Sequence, residues 1–195
     1  MTAISPLQSI HKKGLFGDHH KKNESDLLLI TELKNLSIFQ IAEYKKTKNL
    51  TDKVEIDGLK LSLENSKVLS NKNTRILWIS PKTYLVISKR EDIRQIIEQN
   101  CNNQDFATTD ISHSRSVIQI KGENAKEVLK KGCPLNIEEF KKNNCAGSVF
   151  NGINIVLDCL DVETPTFNVL TLRSFGESLY HHITDASLEF GYLGI

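Results

Sequence analysis

The stretch DISHSRSVIQIKGENAKEVLKKGCPL, residues 110–135, decides the fold. After an opening turn, Ile118 and Ile120 share one face of a strand, which shows the two-residue period of half-buried β structure. Gly122 breaks this strand, and a helix follows whose apolar stripe has the spacing i, i+3, i+4: Ala125, Val128 and Leu129. Gly132 is suited to the left-handed conformation that closes helices, and Pro134 prevents continuation. The stretch therefore predicts a strand, a glycine corner and a short helix.

Hairpins are predicted on both sides of this stretch. Before it, the β-rich runs ILWIS and TYLVIS are separated by Pro81 and Lys82. After it, an Asn-Gly pair at residues 151–152 lies between two apolar runs, which is the strongest short signal for a hairpin. Two Ser-x-x-Glu pairs, Ser88 with Glu91 and Ser174 with Glu177, predict capping boxes at the starts of two helices.

The two helices that follow these serines have apolar stripes, which are Ile93, Ile96, Ile97 and Cys101 in the first and Phe175, Leu179, Ile183 and Ala186 in the second. A strand is expected over residues 106–110, so the order up to that point is β, α, β, β, α, β. Proline, strand, Ser-x-x-Glu and helix recur in the same order in both parts of the chain, although chance similarity of two strand-to-helix junctions is an alternative. The predicted fold class is α+β, with two ferredoxin-like βαβ-type halves and mostly antiparallel sheets.

Domain boundaries follow from shifts in composition. Residues 1–25 are polar and basic and predict a flexible N-terminal arm, residues 26–112 a first α+β half, and residues 113–195 a second, packed together as one compact unit. A short helix is weakly indicated over residues 49–57. Three histidines of the arm can in principle bind a metal, but no carboxylate partner or fixed scaffold accompanies them, which favours a solvated tail: His11, His19 and His20.

Composition argues against several classes of protein. The 195 residues are 39% hydrophobic and 25% charged, with a net charge of +1, so nothing favours nucleic acid or an anionic membrane. No apolar run approaches the roughly 20 residues that span a bilayer, and the N-terminus has no apolar signal-peptide core. Four cysteines without metal-site spacing predict small core residues in a reducing, cytoplasmic compartment: Cys101, Cys133, Cys145 and Cys159.

The residues around His113 invite a comparison with a catalytic triad, because serines flank it and Asp110 and Arg115 are close. Near neighbours along a turn and a strand point apart, so they cannot converge on one point. The favoured interpretation is that Asp110 and Ser112 bond nearby amides within a turn, which leaves His113 and Arg115 as a polar surface patch. Arg173 precedes a helix and suits either a carboxylate on a partner subunit or plain solvation.

Five short segments in order resemble one family. They are Ser5-Pro6-Leu7, WISPKTYL at residues 78–85, DISHSR at 110–115, GCPL at 132–135 and RSFGESL at 173–179. Together they resemble the gamma subunit of heterotetrameric sarcosine oxidase over roughly residues 27–192. The lysine- and asparagine-rich arm and the polar loop of residues 59–73 depart from the family pattern.

The resemblance implies a non-catalytic accessory subunit whose fold is similar to the folate-binding module of glycine-cleavage T-protein. It implies partners named alpha, beta and delta, with alpha the main contact. The complex demethylates sarcosine oxidatively to glycine, and FAD, FMN, NAD, tetrahydrofolate and zinc belong to the other subunits. No catalytic, cofactor or metal residue is then expected in this chain, and His113, Arg115 and Arg173 are candidates for the subunit interface.

Two other functions stay open from the residues. A free-standing folate-binding protein resembling T-protein is one, but its iron–sulfur-assembly relatives carry K-G-C-Y-x-G-Q, whereas Lys131-Gly132-Cys133 continues here into Pro134. A ferredoxin-like module for RNA or a small ligand is the other, and it requires a basic, aromatic-studded sheet. The sequence contains no dinucleotide, Walker A or H-E-x-x-H motif that would indicate an active site of its own.

Overall fold

The computed structural model describes residues 4–45 and 50–195. In chain order, the strands and helices of this part are β1 (Gly14–Phe16), β2 (Leu28–Glu32), β3 (Ser37–Glu43), β4 (Glu55–Ile56), β5 (Leu59–Lys60), β6 (Val68–Ser70), β7 (Thr74–Ser80), β8 (Thr83–Ser88), α1 (Ile93–Asn100), β9 (Phe106–Asp110), β10 (Arg115–Lys121), α2 (Ala125–Lys130), β11 (Cys145–Phe150), β12 (Ile153–Asp161), β13 (Thr166–Leu172), α3 (Gly176–Ser187) and β14 (Tyr192–Gly194).

The contacts of the chain divide it into two units. Residues 35–113 form one, here called the inserted unit, while residues 4–34 and 114–195 form the other, here called the discontinuous unit. This division differs from the predicted one of 1–25, 26–112 and 113–195, because β1 and β2 pair with strands of the C-terminal part. Residues 1–3 of the predicted arm lie outside the described residues.

The discontinuous unit is built on a seven-stranded sheet with the order β1-β14-β2-β10-β13-β12-β11. Its pairs are antiparallel except β14 with β2. Ile118 and Ile120 of β10 share the buried core with the stripe of α2, which is the packing that the two periodicities predict. The Asn-Gly hairpin is confirmed, since Phe150 pairs with Ile153 across a turn in which Asn151 and Gly152 have positive φ.

Three local predictions in this unit are wrong. Gly132 ends α2 without the left-handed conformation, and its lack of a side chain instead leaves room for the Phe150 ring. Phe175 is exposed rather than buried in the stripe of α3, whereas Leu179 and Ile183 are buried. Ser174 does not cap α3, whose N-cap position is Phe175, and Glu177 instead accepts a hydrogen bond from Ser9 Oγ at 2.8 Å.

The inserted unit has a five-stranded antiparallel sheet with the order β6-β7-β8-β3-β9, a two-stranded ribbon of β4 and β5, and α1. The hairpin of β7 and β8 and the strand β9 are confirmed. Ser88 is not the N-cap of α1, which is Asp92, so the first capping box is wrong as well. Of the helix predicted over residues 49–57, Asn49 lies outside the described residues, and Thr51–Lys53 form a single 3-10 turn.

The α+β class and the predominance of antiparallel sheets are confirmed by this architecture. The four cysteines are free thiols in buried positions, as the spacing predicted. Burial raises the pKa of the Cys101 thiol to about 11, so this sulfur is protonated at neutral pH. Within residues 4–45 and 50–195, no helix combines the length and the apolar character that a membrane crossing requires.

Residues 5–11 are attached to the discontinuous unit at several points. Leu7 is fully buried in its core. The buried carboxylate of Glu32 accepts hydrogen bonds from the Ser5 hydroxyl and from the Leu7 amide, the latter at 3.2 Å. His11 Nε2 lies 2.8 Å from the carbonyl oxygen of Ile195. These contacts are the physical reason that the structure groups the N-terminal residues with β2 rather than apart from it.

Candidate functional site

The turn around His113 is held by Asp110. Its Oδ1 accepts hydrogen bonds from the Ser112 amide at 3.0 Å and from the Ser112 hydroxyl at 2.6 Å, and Ser112 Oγ in turn accepts one from the Ile38 amide at 2.9 Å. His113 is exposed on the 3-10 turn Ser112–Ser114. The predicted turn chemistry is therefore confirmed, and both serine and aspartate serve to shape the turn.

Asp110 also forms an ion pair with Arg94 of α1. Burial raises the pKa of Asp110, but the Ser112 hydrogen bonds and the positive charges of Arg94 and His113 outweigh it, so the pKa lies below its ordinary value. Arg94 in turn lies over the Phe39 ring, with its guanidinium carbon 5.3 Å from the ring centroid. The Asp110 carboxylate therefore stays ionised well below neutral pH and holds Arg94 over the Phe39 ring.

Arg115 begins β10 and is half-buried. Burial lowers the pKa of its guanidinium, although the group remains charged at any physiological pH. In the register of β10 with β13, Arg115 lies opposite Leu172, the residue before Arg173. The structure thus brings two of the three candidate interface residues to one end of the same strand pair.

Arg173 binds residue 4, because the guanidinium of Arg173 donates a hydrogen bond to the Ile4 carbonyl oxygen. Three large apolar side chains accompany it, and their exposed fractions are 69% for Ile4, 42% for Leu172 and 48% for Phe175. We call Ile4, Leu172, Arg173 and Phe175 the corner patch. Sequence reasoning missed it because Phe175 fits the helical spacing of the buried stripe, and only its position before the first turn of α3 reveals that it is exposed.

A second cluster of charges lies in the inserted unit. Asp57 accepts hydrogen bonds from the Thr74 hydroxyl at 2.6 Å and from Asn71 Nδ2 at 3.0 Å, and it pairs with Arg90 at 3.1 Å. Thr74 also bonds Ser88 Oγ at 2.8 Å. Burial raises the pKa of Asp57. The hydrogen bonds from Thr74 and Asn71 and the charge of Arg90 together lower the pKa by more than burial raises it, so the net pKa is below the ordinary value. The cluster ties the ribbon to the sheet.

The Asp57 cluster predicts an acid-sensitive inserted unit. A carboxyl whose pKa is lowered on folding stabilises the protein above its unfolded pKa of about 3.9 and loses that contribution as pH falls through the folded value. Asp57→Asn keeps the positive φ that asparagine tolerates but removes the charge, so we expect it to cost about 1 to 2 kcal/mol at pH 7. Urea unfolding at pH 7, 5 and 3 should show this cost shrinking towards pH 3. The exposed Asp52→Asn is the control, and an equal cost at all three pH values would contradict the assignment.

Metal-ligating side chains do not converge in the part of the chain that the structure describes: no group of three His, Cys, Asp or Glu residues could hold an ion. Among the histidines of the predicted arm, His19 and His20 stack with ring centroids 4.6 Å apart, and His11 packs against Tyr180 at 5.3 Å. The polar side chains described above therefore form ion pairs and turn hydrogen bonds.

Residues 52–189 match the family model described as sarcosine oxidase, gamma subunit family. This chain belongs to the sarcosine oxidase gamma subunit family. The match includes Ser88 and Ser174, the DISHSR turn and the part of the corner patch from Leu172 to Phe175, so the resemblance seen in the short segments is confirmed. The N-terminal attachment of residues 5–11 lies outside the matched range.

Two curated relatives of this gamma-family chain are both called sarcosine oxidase subunit gamma. That of Corynebacterium sp. (strain U-96) is 27% identical over 120 residues, which cover 60% of this chain and 58% of the relative. That of Corynebacterium sp. (strain P-1) is 26% identical over 124 residues, which cover 62% of this chain and 60% of the relative. The matched region thus spans less than two thirds of the length of either relative.

Two solved structures share the fold of this gamma-family chain. One is the heterotetrameric sarcosine oxidase from Corynebacterium sp. U-96 in complex with pyrrole 2-carboxylate, with a TM-score of 0.74, 21% identity, and coverage of 86% of this chain and 87% of the other. The second is the glycine cleavage system aminomethyltransferase T from Bartonella henselae, with a TM-score of 0.61, 9% identity, and coverage of 82% and 46%. The T-protein-like fold is thereby confirmed.

Proposed function

We propose that this chain is a non-catalytic accessory subunit of a sarcosine oxidase complex, in which it packs against larger subunits and helps to hold the assembly together. The observation that carries the proposal is the family match over residues 52–189. The fold of this chain supports the same role, because most of this chain superposes on a chain of the heterotetrameric enzyme from Corynebacterium sp. U-96. The four free, buried cysteines support a reducing, cytoplasmic location.

The proposed reaction belongs to the complex rather than to this chain. Sarcosine, oxygen and water give glycine, formaldehyde and hydrogen peroxide, and the one-carbon unit can pass instead to tetrahydrofolate. In this proposal FAD, FMN, NAD, tetrahydrofolate and zinc are carried by the alpha, beta and delta subunits. The contribution of this chain is a surface that stabilises the flavin-bearing subunits and shapes the space through which an intermediate moves.

The corner patch and Arg115, both of the discontinuous unit, form the surface that we propose for contact with the alpha subunit. His113 of the inserted unit is proposed separately as a contact residue of its own unit. Exposed aromatic and aliphatic side chains around an arginine are typical of the residues that carry binding energy at protein interfaces. The planar guanidinium of Arg173 suits a carboxylate of the partner, and its hydrogen bond to Ile4 holds it ready. This combination favours an assembly surface over a solvated one.

Co-expression with genes for the proposed flavin-bearing subunits tests the proposal directly. Size-exclusion chromatography and a flavin absorbance scan should show this chain eluting with a yellow complex that oxidises sarcosine. Full flavin loading and full turnover by a complex lacking this chain would refute an essential structural role. A colourless monomer that binds folate on titration would instead favour the free-standing T-protein-like alternative.

Charge reversal at the corner patch is expected to release the subunit. Arg173→Glu removes the guanidinium that is proposed to pair with a carboxylate of the partner and places a second carboxylate there, which introduces repulsion, so we expect the dissociation constant for the complex to rise by about tenfold or more. Lys72→Glu makes the same charge change in an exposed turn between β6 and β7 and should leave assembly within about threefold of the unaltered chain. Equal loss of co-elution in both variants would contradict the location of the interface.

A further inference from the structure

Strand β9 has an open side. It is the last strand of its sheet, and within the described residues β3 is the strand that pairs with it. The Tyr44 amide donates to the Asp105 carbonyl and the Ile111 amide to the Ile38 carbonyl, both at 2.8 Å. In an antiparallel pair of strands, hydrogen-bonded residue pairs alternate with pairs that are not hydrogen-bonded. These two hydrogen bonds therefore fix which residues of β9 belong to each kind of pair, here called the phase of the ladder.

The phase determines which backbone groups face outwards. Ala107 and Thr109 of β9 fall in the bonding pairs with Ala42 and Gln40, so their amides and carbonyls are directed towards β3. Thr108 occupies an intervening position, and so does Asp110. Their amides and carbonyls are therefore directed to the open side, two residues apart, which is the spacing at which an added strand forms its own hydrogen bonds.

A cleft of about 530 Å³ runs beside this open side. Helix α1 supplies one wall, β9 the other, and the buried Phe39 of β3 the floor. The lining side chains are Phe39, Arg94, Ile97, Glu98, Asn102, Asn103, Thr108 and Asp110. A groove between a helix and a sheet edge is the arrangement by which domains hold an extended peptide, because the edge binds its backbone and the helix side receives its side chains.

The charges of the cleft favour a basic ligand. Arg94 forms a close ion pair with Asp110 but lies 4.0 Å from Glu98, whose side chain is 61% exposed. The lining therefore holds two carboxylates and one guanidinium, with the guanidinium engaged mainly by one of them. The strand of a second copy, Phe-Ala-Thr-Thr-Asp, has no basic side chain to offer, so self-pairing would not complement Glu98.

We propose that the cleft between α1 and β9 binds an extended segment of another polypeptide, which adds a strand to β9 and places a lysine or arginine side chain beside Glu98. The segment is recognised through its backbone by Thr108 and Asp110 and through its charge by Glu98. This surface lies in the inserted unit, and it stands on its own geometry whether or not the proposed function is correct.

The probe is a phage-displayed library of random peptides of about ten residues, a length that spans the edge. Selection against the full chain should enrich peptides with a lysine or arginine flanked by β-branched residues. A selected peptide, synthesised with a fluorophore, then gives dissociation constants by anisotropy. Amide hydrogen exchange of the unaltered chain with saturating peptide should slow at Thr108 and Asp110 and stay unchanged at Ala107 and Thr109.

Two variants at one residue separate backbone from side-chain recognition. Thr108→Pro removes an outward amide together with the threonine side chain, a change that an edge strand tolerates, and should weaken peptide binding by about tenfold or more. Thr108→Val keeps the amide and should bind within about threefold of the unaltered chain. Glu98→Gln should weaken a lysine-bearing peptide by about threefold to tenfold and leave its norleucine analogue unchanged.

In the experiments with peptide, any of three results overturns the inference. They are a selection without enriched basic peptides, equal binding by Thr108→Pro, and unchanged exchange at Thr108 and Asp110. If the Thr108→Pro variant loses its circular dichroism signal, the variant is unfolded and its binding is not informative. The hydrogen-exchange experiment on the unaltered chain then tests the proposal by itself. Slowed exchange at those amides on raising the concentration of the chain without peptide would assign the edge to a second copy and also overturn the proposal.

Discussion

Gly191→Ala is expected to lower the free energy of unfolding by about 2 to 5 kcal/mol. Gly191 has a φ of 70°, a conformation that costs a side-chain-bearing residue about 1 to 2 kcal/mol. An added Cβ would also lie 2.5 Å from the Asp18 carbonyl oxygen, which is backbone and cannot turn aside. Relieving such a contact typically costs about 1 to 3 kcal/mol more, because the N-terminal segment must shift away from residue 191.

Two other glycines provide matched controls for this substitution. Gly152 has a φ of 81° with no atom within 4 Å of an added Cβ, so Gly152→Ala isolates the conformational cost of about 1 to 2 kcal/mol. Gly147 has no positive φ and no atom within 4 Å of an added Cβ. Gly147→Ala should therefore change the free energy of unfolding by less than about 1 kcal/mol. Urea unfolding followed by circular dichroism measures all three. A Gly191→Ala cost no greater than that of Gly152→Ala would show that residue 18 is not held against residue 191.

Phe167→Ala is the second substitution with a large expected effect. The side chain is fully buried in β13 within the core of the discontinuous unit, and its ring meets Phe140 edge to face at 6.4 Å. Truncating a buried phenylalanine removes its apolar contacts and leaves a cavity, for a loss of about 3 to 5 kcal/mol in the free energy of unfolding. The measurement is the urea midpoint and slope of the isolated chain.

Phe175→Ala is the same substitution in the corner patch, where the side chain is 48% exposed. In the isolated chain we expect a change below about 0.5 kcal/mol, because little apolar surface is uncovered. In the proposed complex it should weaken association by about tenfold or more, since aromatic side chains dominate interface energies. Similar stability losses for Phe167→Ala and Phe175→Ala would contradict the burial assigned to both rings.

Local periodicity was sufficient to predict most strands and helices of this chain. The alternation at Ile118 and Ile120 and the helical stripe of Val128 and Leu129 depend only on which face of an element is buried, and β10 and α2 follow from them. The Asn-Gly hairpin was predictable for a similar reason, because two residues of positive φ suit a tight turn between strands.

The capping boxes failed because the pattern is local and the competing partners are not. Ser88 is the last residue of β8, where its hydroxyl bonds the Thr74 hydroxyl across the sheet and accepts the Arg90 amide at 3.1 Å. Glu177 of the second pattern bonds Ser9, which is far away in sequence. A serine and a glutamate three residues apart predict a cap only when no such partner is available.

The candidate site was predictable in its residue types but not in its surroundings. Arg115 and Arg173 stand out as charged residues at element ends, yet nothing local indicates that Leu172 faces Arg115 or that Ile4 is bound by Arg173. The cleft beside β9 was missed altogether, because it depends on which strand is last in the sheet. Sheet order is set by non-local pairing, which leaves no periodic trace in the sequence.

The placement of β2 has a consequence for how the protein is made. Strand β2 ends at Glu32, but its neighbours β10 and β14 begin only at Arg115 and Tyr192. During synthesis, β2 therefore leaves the ribosome long before the strands on either side of it exist. Residues 35–113 are complete before β10 emerges and can fold first, while Leu28 and Ile30 remain uncovered. A chaperone that recognises short apolar segments would therefore have an extended opportunity to bind β2.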